Sequence, residues 1–187
     1  NKKPLWTGGK PDTPVKLRLS NFSWQSLVSV ERILEEINRI PSHHLAGLKE
    51  ICYDPYQDTL AKLDADPRQP IKTNDMGMYL QGYRTIAVYK FNSEKELFKT
   101  LFHELGHYVY YTIIGSVVKK KWVTEAHCVK QYVTRYASRN ASEDFAECYA
   151  EFLLNPANLQ RIPKKYNFIR TEVFNNIPYH NNLNREY

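Results

Sequence analysis

The stretch that decides the fold is Ser93–Tyr108, which reads S-E-K-E-L-F-K-T-L-F-H-E-L-G-H-Y. Ser93 and Glu96, three residues later, form a capping box, and this pattern predicts that a helix begins at Ser93. Apolar residues then recur at helical spacing and predict the buried face of that helix: Leu97, Leu101, Leu105 and Tyr108. The histidines of the same stretch therefore face away from the core.

Within this helix, His103-Glu104-Leu105-Gly106-His107 is an H-E-x-x-H motif. Residues four apart lie on one side of a helix, so both imidazoles can reach one metal ion. Glu104 is turned by about 100° from His103, where it can contact a water beside the metal without being a ligand. The alternative is an ordinary helix with two partly exposed histidines. Gly106 costs a helix about 1 kcal/mol relative to alanine, which indicates either close approach of another backbone or a permissive surface site.

A catalytic zinc site requires three protein ligands and one open position, so a third ligand must come from elsewhere in the chain. Glu143 and Glu147 lie one helical turn apart in S-E-D-F-A-E, and an apolar stripe would dock their helix: Phe145, Tyr149 and Phe152. One glutamate can bind the metal while the other accepts a ring N–H from a liganding histidine. The spacing does not say which is which, and a solvated helix face is the alternative.

The order of predicted elements indicates an α+β domain over residues 15–174, with an arm or linker at 1–14 and a tail at 175–187. Period-two alternation predicts a strand around residues 15–19, and Leu48–Tyr53 predicts a second. Two further strands, Gly77–Leu80 and Thr85–Phe91, follow a loop over residues 54–75. The predicted helices other than the motif helix are Ser23–Arg39 (with Leu27, Val30, Leu34 and Ile37 as its apolar stripe), Lys119–Arg135 and Ser142–Leu154.

Composition argues against several other classes of protein. The net charge of +6 is scattered, and its one tight run, Lys119–Lys121, is typical of a solvated helix end; no nucleic-acid motif accompanies it. No apolar run is long enough to predict a membrane span. Three cysteines are an odd number without framework spacing, so Cys52, Cys128 and Cys148 are predicted to be small buried side chains.

The chain begins at Asn1 and carries no signal peptide, so the sequence is compatible with removal of a leader or an upstream domain. A secreted or delivered protein is favoured over a cytoplasmic one.

The order H-E-L-G-H, Tyr136 and Glu143-Asp144-Phe145-Ala146-Glu147 resembles the catalytic domains of the lethal-factor toxin and Pro-Pro endopeptidase family of zinc metallopeptidases. In that family a tyrosine lies seven residues before the glutamate that opens an E-x-F-A-E sequence, and Tyr136 lies seven residues before Glu143 here. The resemblance covers residues 20–170 and is specific from 85 to 156. It departs from the family pattern at Asp144, where an aromatic residue is usual, and in a short segment between His107 and Glu143.

The resemblance implies a zincin-like fold: a small mixed sheet with an edge strand over the cleft, an active-site helix and C-terminal helices. It implies one catalytic Zn²⁺ held by His103, His107 and Glu143, with Glu147 supporting the ligands. The expected activity is peptide-bond hydrolysis, in which Glu104 acts as the general base and the hydroxyl of Tyr136 binds the oxyanion. The expected partner is a protein or peptide bound in an extended conformation along the Thr85–Phe91 strand. We expect a monomer without a nucleic-acid partner or a membrane span.

Other interpretations compete with this one. Tyr149–Pro156 (Y-A-E-F-L-L-N-P) is similar to the end of the second helix in regulatory metallopeptidases of mobile elements, which cleave repressors. A non-catalytic peptide-binding module on a metallopeptidase fold is the main alternative outside hydrolysis, although such a module has no need of Glu104. A nucleic-acid-binding protein that uses the +6 charge is the third alternative, and its affinity would fall steeply with salt.

Overall fold

The computed structural model describes residues 17–58 and 74–177 of the chain. Its strands are β1 (Arg18–Ser20), β2 (Glu50–Tyr53), β3 (Gly77–Leu80) and β4 (Thr85–Val88). Its α-helices are α1 (Val30–Ile37), α2 (Glu94–Tyr108), α3 (Ser116–Lys121), α4 (Ala141–Leu154), α5 (Pro156–Gln160) and α6 (Pro163–Phe168). Short 3-10 helices cover Phe22–Trp24, Ser42–Leu45, Gln81–Tyr83, His127–Val129 and Tyr136–Ser138, and π-helices cover Val109–Ile113, Trp122–Ala126 and Ile169–Val173. The predicted α+β class is confirmed.

The four strands form one mixed sheet in the order β1-β2-β4-β3. β1, β2 and β4 are parallel, and β3 runs antiparallel to β4, with Gly77 opposite Val88 and Leu80 opposite Thr85. The prediction that Thr85–Phe91 is the strand available to a substrate is therefore wrong. β4 lies between two neighbours and all four of its residues are buried, because Ile86 and Val88 contact the helical core while Ala87 packs on the opposite face. The free edge on this side of the described sheet is β3.

Helix α1 is shorter than the predicted helix over Ser23–Arg39. The side chain of Gln25 holds a non-helical turn, because its Oε1 accepts the backbone N–H groups of Leu27 and Val28. The hydroxyl of Ser29 then accepts the N–H of Arg32 and starts the helix there. Leu27 and Leu34 are exposed, contrary to the predicted stripe, whereas Ile37 is buried as predicted. The helix also buries Ile33 and Glu36.

Helix α2 begins as the sequence predicts. The hydroxyl of Ser93 accepts the N–H of Glu96 at 3.2 Å, and the carboxylate of Glu96 reaches back to the N–H of Asn92 at 2.8 Å. The predicted stripe is buried in full: Leu97, Leu101, Leu105 and Tyr108. This face packs in the core, so the opposite side of the helix carries His103 and His107.

The helical region after α2 differs from the prediction of one helix over Lys119–Arg135. The chain forms α3 and the π-helix Trp122–Ala126, and Lys130 then adopts a left-handed conformation (φ 58°) that ends helical structure. Residues 130–135 form neither helix nor strand. Helix α4 begins at Ala141, one residue earlier than predicted, because the side chain of Asn140 accepts the N–H groups of Ser142 and Glu143.

Some predictions fall partly or wholly outside the residues that the structure describes: the arm at 1–14, most of the loop at 54–75, and the tail beyond residue 177. No described helix is long and apolar enough to cross a membrane. Cys52 and Cys148 are buried as predicted, but Cys128 is exposed on the surface of a 3-10 turn.

Gly106 lies where α2 and α4 come into close backbone contact. A Cβ atom at this position would lie 2.7 Å from the Cα and 3.1 Å from the carbonyl oxygen of Ala146. Real Cβ atoms do not come that close to a backbone, so the prediction that another backbone approaches Gly106 is confirmed. This approach sets the distance between the histidines of α2 and the glutamates of α4.

We expect Gly106→Ala to lower the free energy of unfolding by about 1–3 kcal/mol, because the added methyl forces α2 and α4 apart. The gain in helix propensity, about 1 kcal/mol, offsets only part of that cost. Urea denaturation of the purified variant measures it. Gly82→Ala is the control, because a Cβ at Gly82 would meet nothing within 4 Å; equal effects at both positions would contradict the assignment of Gly106 to helix packing.

Candidate metal centre

Three side chains from two helices point their donor atoms at one small volume. Nε2 of His107 lies 3.1 Å from Nε2 of His103 and 3.2 Å from Oε2 of Glu143. Nε2 of His103 lies 3.3 Å from the same Glu143 oxygen. The three atoms thus form a nearly equilateral triangle, and they are a group that could hold a metal ion.

The triangle fits zinc in both size and chemistry. Imidazole nitrogen and carboxylate oxygen bind zinc at about 2.0–2.2 Å, and ligands at that distance in tetrahedral geometry lie about 3.3 Å from one another. The observed separations of 3.1, 3.2 and 3.3 Å agree with that figure. Two histidines and one glutamate would supply three ligands to such an ion, which is the number of protein ligands in a catalytic zinc site.

Glu147 supports His103 from the side opposite the ligand atoms. Its Oε1 lies 2.7 Å from Nδ1 of His103, so it orients the ring and leaves Nε2 pointing at the centre. Burial raises the pKa of Glu147, but hydrogen bonds from His103 and Thr134 outweigh that effect and lower it. The carboxylate is therefore ionised at neutral pH and keeps its function as an acceptor.

The same contacts set the protonation of the ligands before a metal binds. Burial lowers the pKa of His103, but hydrogen bonds to Glu143 and Glu147 outweigh burial and raise it to about 10. Burial raises the pKa of Glu143, but hydrogen bonds from His103 and His107 outweigh it and hold the value at about 2. At neutral pH the metal-free site thus contains a protonated His103 between two carboxylates.

Glu104 lies beside the triangle and contacts the edge strand. Its Oε2 accepts the backbone N–H of Tyr79 at 2.7 Å. Burial raises the pKa of this carboxyl, while the charges of His103 and His107 and the Tyr79 N–H act in the opposite direction without cancelling the rise. A carboxylate with a raised pKa is a better proton acceptor, so the position and environment of Glu104 suit a general base.

Gly77 lets β3 lie directly on α2. A Cβ at Gly77 would lie 2.6 Å from Cγ2 of Thr100, 2.8 Å from the carbonyl oxygen of Ala87 and 3.5 Å from Cγ of Glu104. Because no side chain intervenes, the strand comes close enough for the Tyr79 N–H to reach Glu104.

The backbone of β3 presents unpaired groups to the cleft. The backbone carbonyl of Met76 accepts the N–H of Tyr89 at 2.8 Å. In an antiparallel pair every second residue bonds to the neighbouring strand, so residues 76, 78 and 80 are the ones that bond to β4. The N–H and C=O groups of Gly77 and Tyr79 therefore point away from β4. The N–H of Tyr79 is bonded to Glu104, and the other three groups face the side on which a peptide strand could lie.

An open cleft of about 620 Å³ runs between β3 and the candidate metal centre. Tyr136 forms one wall, with its ring centroid 5.7 Å from that of His103 and the guanidinium of Arg139 4.0 Å from its own centroid. Burial raises the pKa of its hydroxyl, and the charge of Glu143 raises it further, so the group stays protonated and can donate a hydrogen bond. Tyr111 stacks on His107 with centroids 6.1 Å apart.

The structure brings together every site residue singled out in the sequence, and all of them line this cleft: His103, Glu104, His107, Tyr136, Glu143 and Glu147. It adds groups that the sequence did not indicate. Tyr111 follows His107 by four residues, and that spacing was a usable signal. No sequence pattern indicated the N–H of Tyr79 or the hydroxyl of Thr134. The first depends on where β3 lies in the sheet, and the second belongs to a segment without regular structure.

Because His103 is protonated in the metal-free protein, we expect zinc binding to release about one proton from this residue. Since the pKa of His103 is about 10, zinc must displace a bound proton throughout the neutral range. Zinc affinity is therefore expected to increase with pH, by about tenfold per pH unit from pH 7 to pH 9. Calorimetry in buffers of different ionisation enthalpy measures the release at pH 8.5. In Glu147→Gln the release is smaller, because the variant lacks a charge that raises this pKa; zero release from the unsubstituted protein at pH 8.5 would contradict the expectation.

A comparison of the chain with models of known protein families found no match, and a comparison with curated protein sequences found none.

Proposed function

We propose that this chain is a zinc-dependent endopeptidase with a zincin-like fold, of the lethal-factor-like class that its motif pattern resembles. The observation that carries the proposal is the triangle of His103, His107 and Glu143 donor atoms, 3.1–3.3 Å apart, beside a buried carboxylate at the base of an open cleft. A structural metal site would be closed by a fourth protein ligand. Among the described residues, these three form the one group that could hold a metal.

The zinc ion, when bound, supplies Lewis acidity that lowers the pKa of water and polarises a carbonyl group. Glu104 accepts the proton of the attacking water and transfers it to the leaving amine. The Tyr79 N–H keeps the carboxylate in position for both steps, because it holds Oε2 on the side of the edge strand. The hydroxyl of Tyr136 donates a hydrogen bond to the oxyanion that forms as the carbonyl is attacked.

The proposed substrate is a peptide or protein segment that adds to β3 as a further strand. The unpaired backbone groups of Gly77 and Tyr79 would form main-chain hydrogen bonds with it. This arrangement replaces Thr85–Phe91 as the expected binding strand. Main-chain recognition leaves side-chain preference to residues on the cleft walls, among them Tyr111, Tyr136 and Lys99.

The test is cleavage of a peptide library by the purified protein, with metal content measured in parallel. We expect about one zinc per chain, and cleavage that a chelator abolishes and added zinc restores. Cleavage that persists after the metal is removed, or a chain that binds no zinc when zinc is supplied, would refute the proposal. A zinc-loaded protein that binds peptides without cleaving them would instead support the non-catalytic module.

A further inference from the structure

A buried ion pair joins α4, one residue after Glu143 of the candidate metal centre, to α6. The side chains of Asp144 and Lys165 are both completely buried. Nζ of Lys165 lies 2.7 Å from Oδ1 and 2.6 Å from Oδ2 of Asp144. Nδ1 of His127 donates to the same Oδ2 at 2.8 Å. Buried charges are costly unless they are paired and hydrogen-bonded, and here both carboxylate oxygens have partners.

The ion pair connects three separate parts of the chain. Asp144 belongs to the first turn of α4, directly after Glu143, and Lys165 belongs to α6. Nζ of Lys165 also donates to the backbone carbonyl of Gln131, and it lies 4.4 Å from the ring centroid of Tyr132. His127, Gln131 and Tyr132 are all at the start of residues 127–139, which we call the Tyr136 segment.

The Tyr136 segment has little regular structure of its own to hold it in place. Between the two short 3-10 turns at its ends, residues 130–135 form neither helix nor strand. The segment nevertheless supplies two groups to the site: the ring of Tyr136 beside His103, and the side chain of Thr134, which lowers the pKa of Glu147. Ala137 is the one residue of the segment that is buried, so the positions of these groups also depend on what anchors the segment at each end.

One anchor is the start of α4, where Asn140 caps the helix. We propose that Asp144, Lys165 and His127 form the other anchor, a positioning site that holds the Tyr136 segment against the metal centre. It acts through Tyr136, so the proposal rests on the proposed function of that residue. The three side chains contact neither the donor atoms of the centre nor the cleft, since none of them is among the cleft-lining residues.

The test uses Asp144→Leu with Lys165→Met in one protein, because removal of both charges leaves no unpaired buried ion. His127→Phe is a second, milder variant that keeps a ring but loses the Nδ1 donor. The control is Lys121→Met with Glu172→Leu, which removes a partly exposed ion pair (Nζ–Oε1 3.3 Å) elsewhere on the helical side of the molecule. Each protein contains all 187 residues of the chain, and all are compared with and without zinc.

The first measurement is amide hydrogen exchange, which requires neither bound metal nor activity. We expect exchange in residues 130–139 to rise by about tenfold or more in the Asp144/Lys165 variant and by less in His127→Phe, with α2 unchanged. The control should show no change in the segment. Unchanged exchange in residues 130–139, or an equal rise across α2, would overturn the proposal, since the cluster would then have no role or only a general structural one.

The second measurement is a double-mutant cycle with Tyr136→Phe on a cleaved peptide. We expect the Asp144/Lys165 replacement to lower kcat about tenfold or more with little change in KM, and to lower it less than about threefold in the Tyr136→Phe protein. Equal losses in both backgrounds overturn the proposal, because the cluster would then act independently of Tyr136. If no peptide is cleaved by the unsubstituted protein, the proposed function fails, and the exchange measurement alone decides the positioning role.

Discussion

Glu104→Gln is expected to lower kcat/KM by about 10³-fold while the protein keeps one zinc per chain, because general base catalysis contributes about 10²–10⁴-fold in rate. The substitution preserves the size of the side chain and its ability to accept the Tyr79 N–H. It removes only the capacity to take a proton from water at the position next to the His103 and His107 ligand atoms. Burial raises the pKa of the native carboxyl, and this favours proton uptake in the unsubstituted protein.

A matched control exists on the same helix. Glu96 also lines the cleft, two helical turns before Glu104, but its carboxylate caps the N–H of Asn92 and lies outside the donor triangle. Glu96→Gln is expected to change kcat/KM by less than about threefold. Peptide cleavage and metal analysis of both variants check the prediction. Activity within tenfold of normal in Glu104→Gln, or equal losses in both proteins, would remove Glu104 from the mechanism.

The second large effect concerns zinc affinity. Glu147→Gln is expected to weaken zinc binding by about 10–100-fold, as loss of a group that orients a liganding histidine does. Glu143→Gln is expected to weaken zinc binding by more than that range. Oε2 of Glu143 lies 3.2 and 3.3 Å from the two histidine nitrogens and completes the donor triangle. Of the two histidines, His103 is the one paired with Glu147, through Nδ1, and Glu147 lies outside the triangle.

Competition with a zinc-binding dye measures both affinities at fixed pH. Glu151→Gln serves as the control, since Glu151 follows Glu147 by one turn of α4 and bonds Asn158 instead of a histidine. Its zinc affinity should match that of the unsubstituted protein. A larger loss in Glu147→Gln than in Glu143→Gln would reverse the assignment of ligand and supporting residue.

The close packing of α2 and α4 brings the histidines of one helix to the glutamates of the other. Gly106 on α2 packs against the backbone of Ala146, and Glu143 and Glu147 flank that contact on α4. Phe145 and Tyr149, both fully buried, fix the rotation of α4 so that the glutamates face α2. The apolar stripe and the two carboxylates therefore act together: one face of α4 is held in the core, and the other is presented to the histidines.

Features within one or two helical turns could be predicted from the sequence. The capping box at Ser93, the buried stripe of α2 and the common direction of His103 and His107 follow from helix geometry, because residues four apart share a side whatever surrounds them. The pairing of Glu143 with Glu147 follows in the same way. These local relations single out five side chains, and the resemblance to the lethal-factor family adds Tyr136; the structure brings all six together.

Only the tertiary structure decided which strand borders the cleft, how far α1 extends, and how the Tyr136 segment is held. β4 and β3 have similar apolar patterns, and their order in the sheet depends on pairing with β2, a contact between residues distant in sequence. Asp144 and Lys165 are separated by 21 positions and look like ordinary surface charges until packing buries both. Short-range geometry is encoded in spacing, whereas strand order and the burial of charge depend on contact energies summed over the whole fold, which spacing does not record.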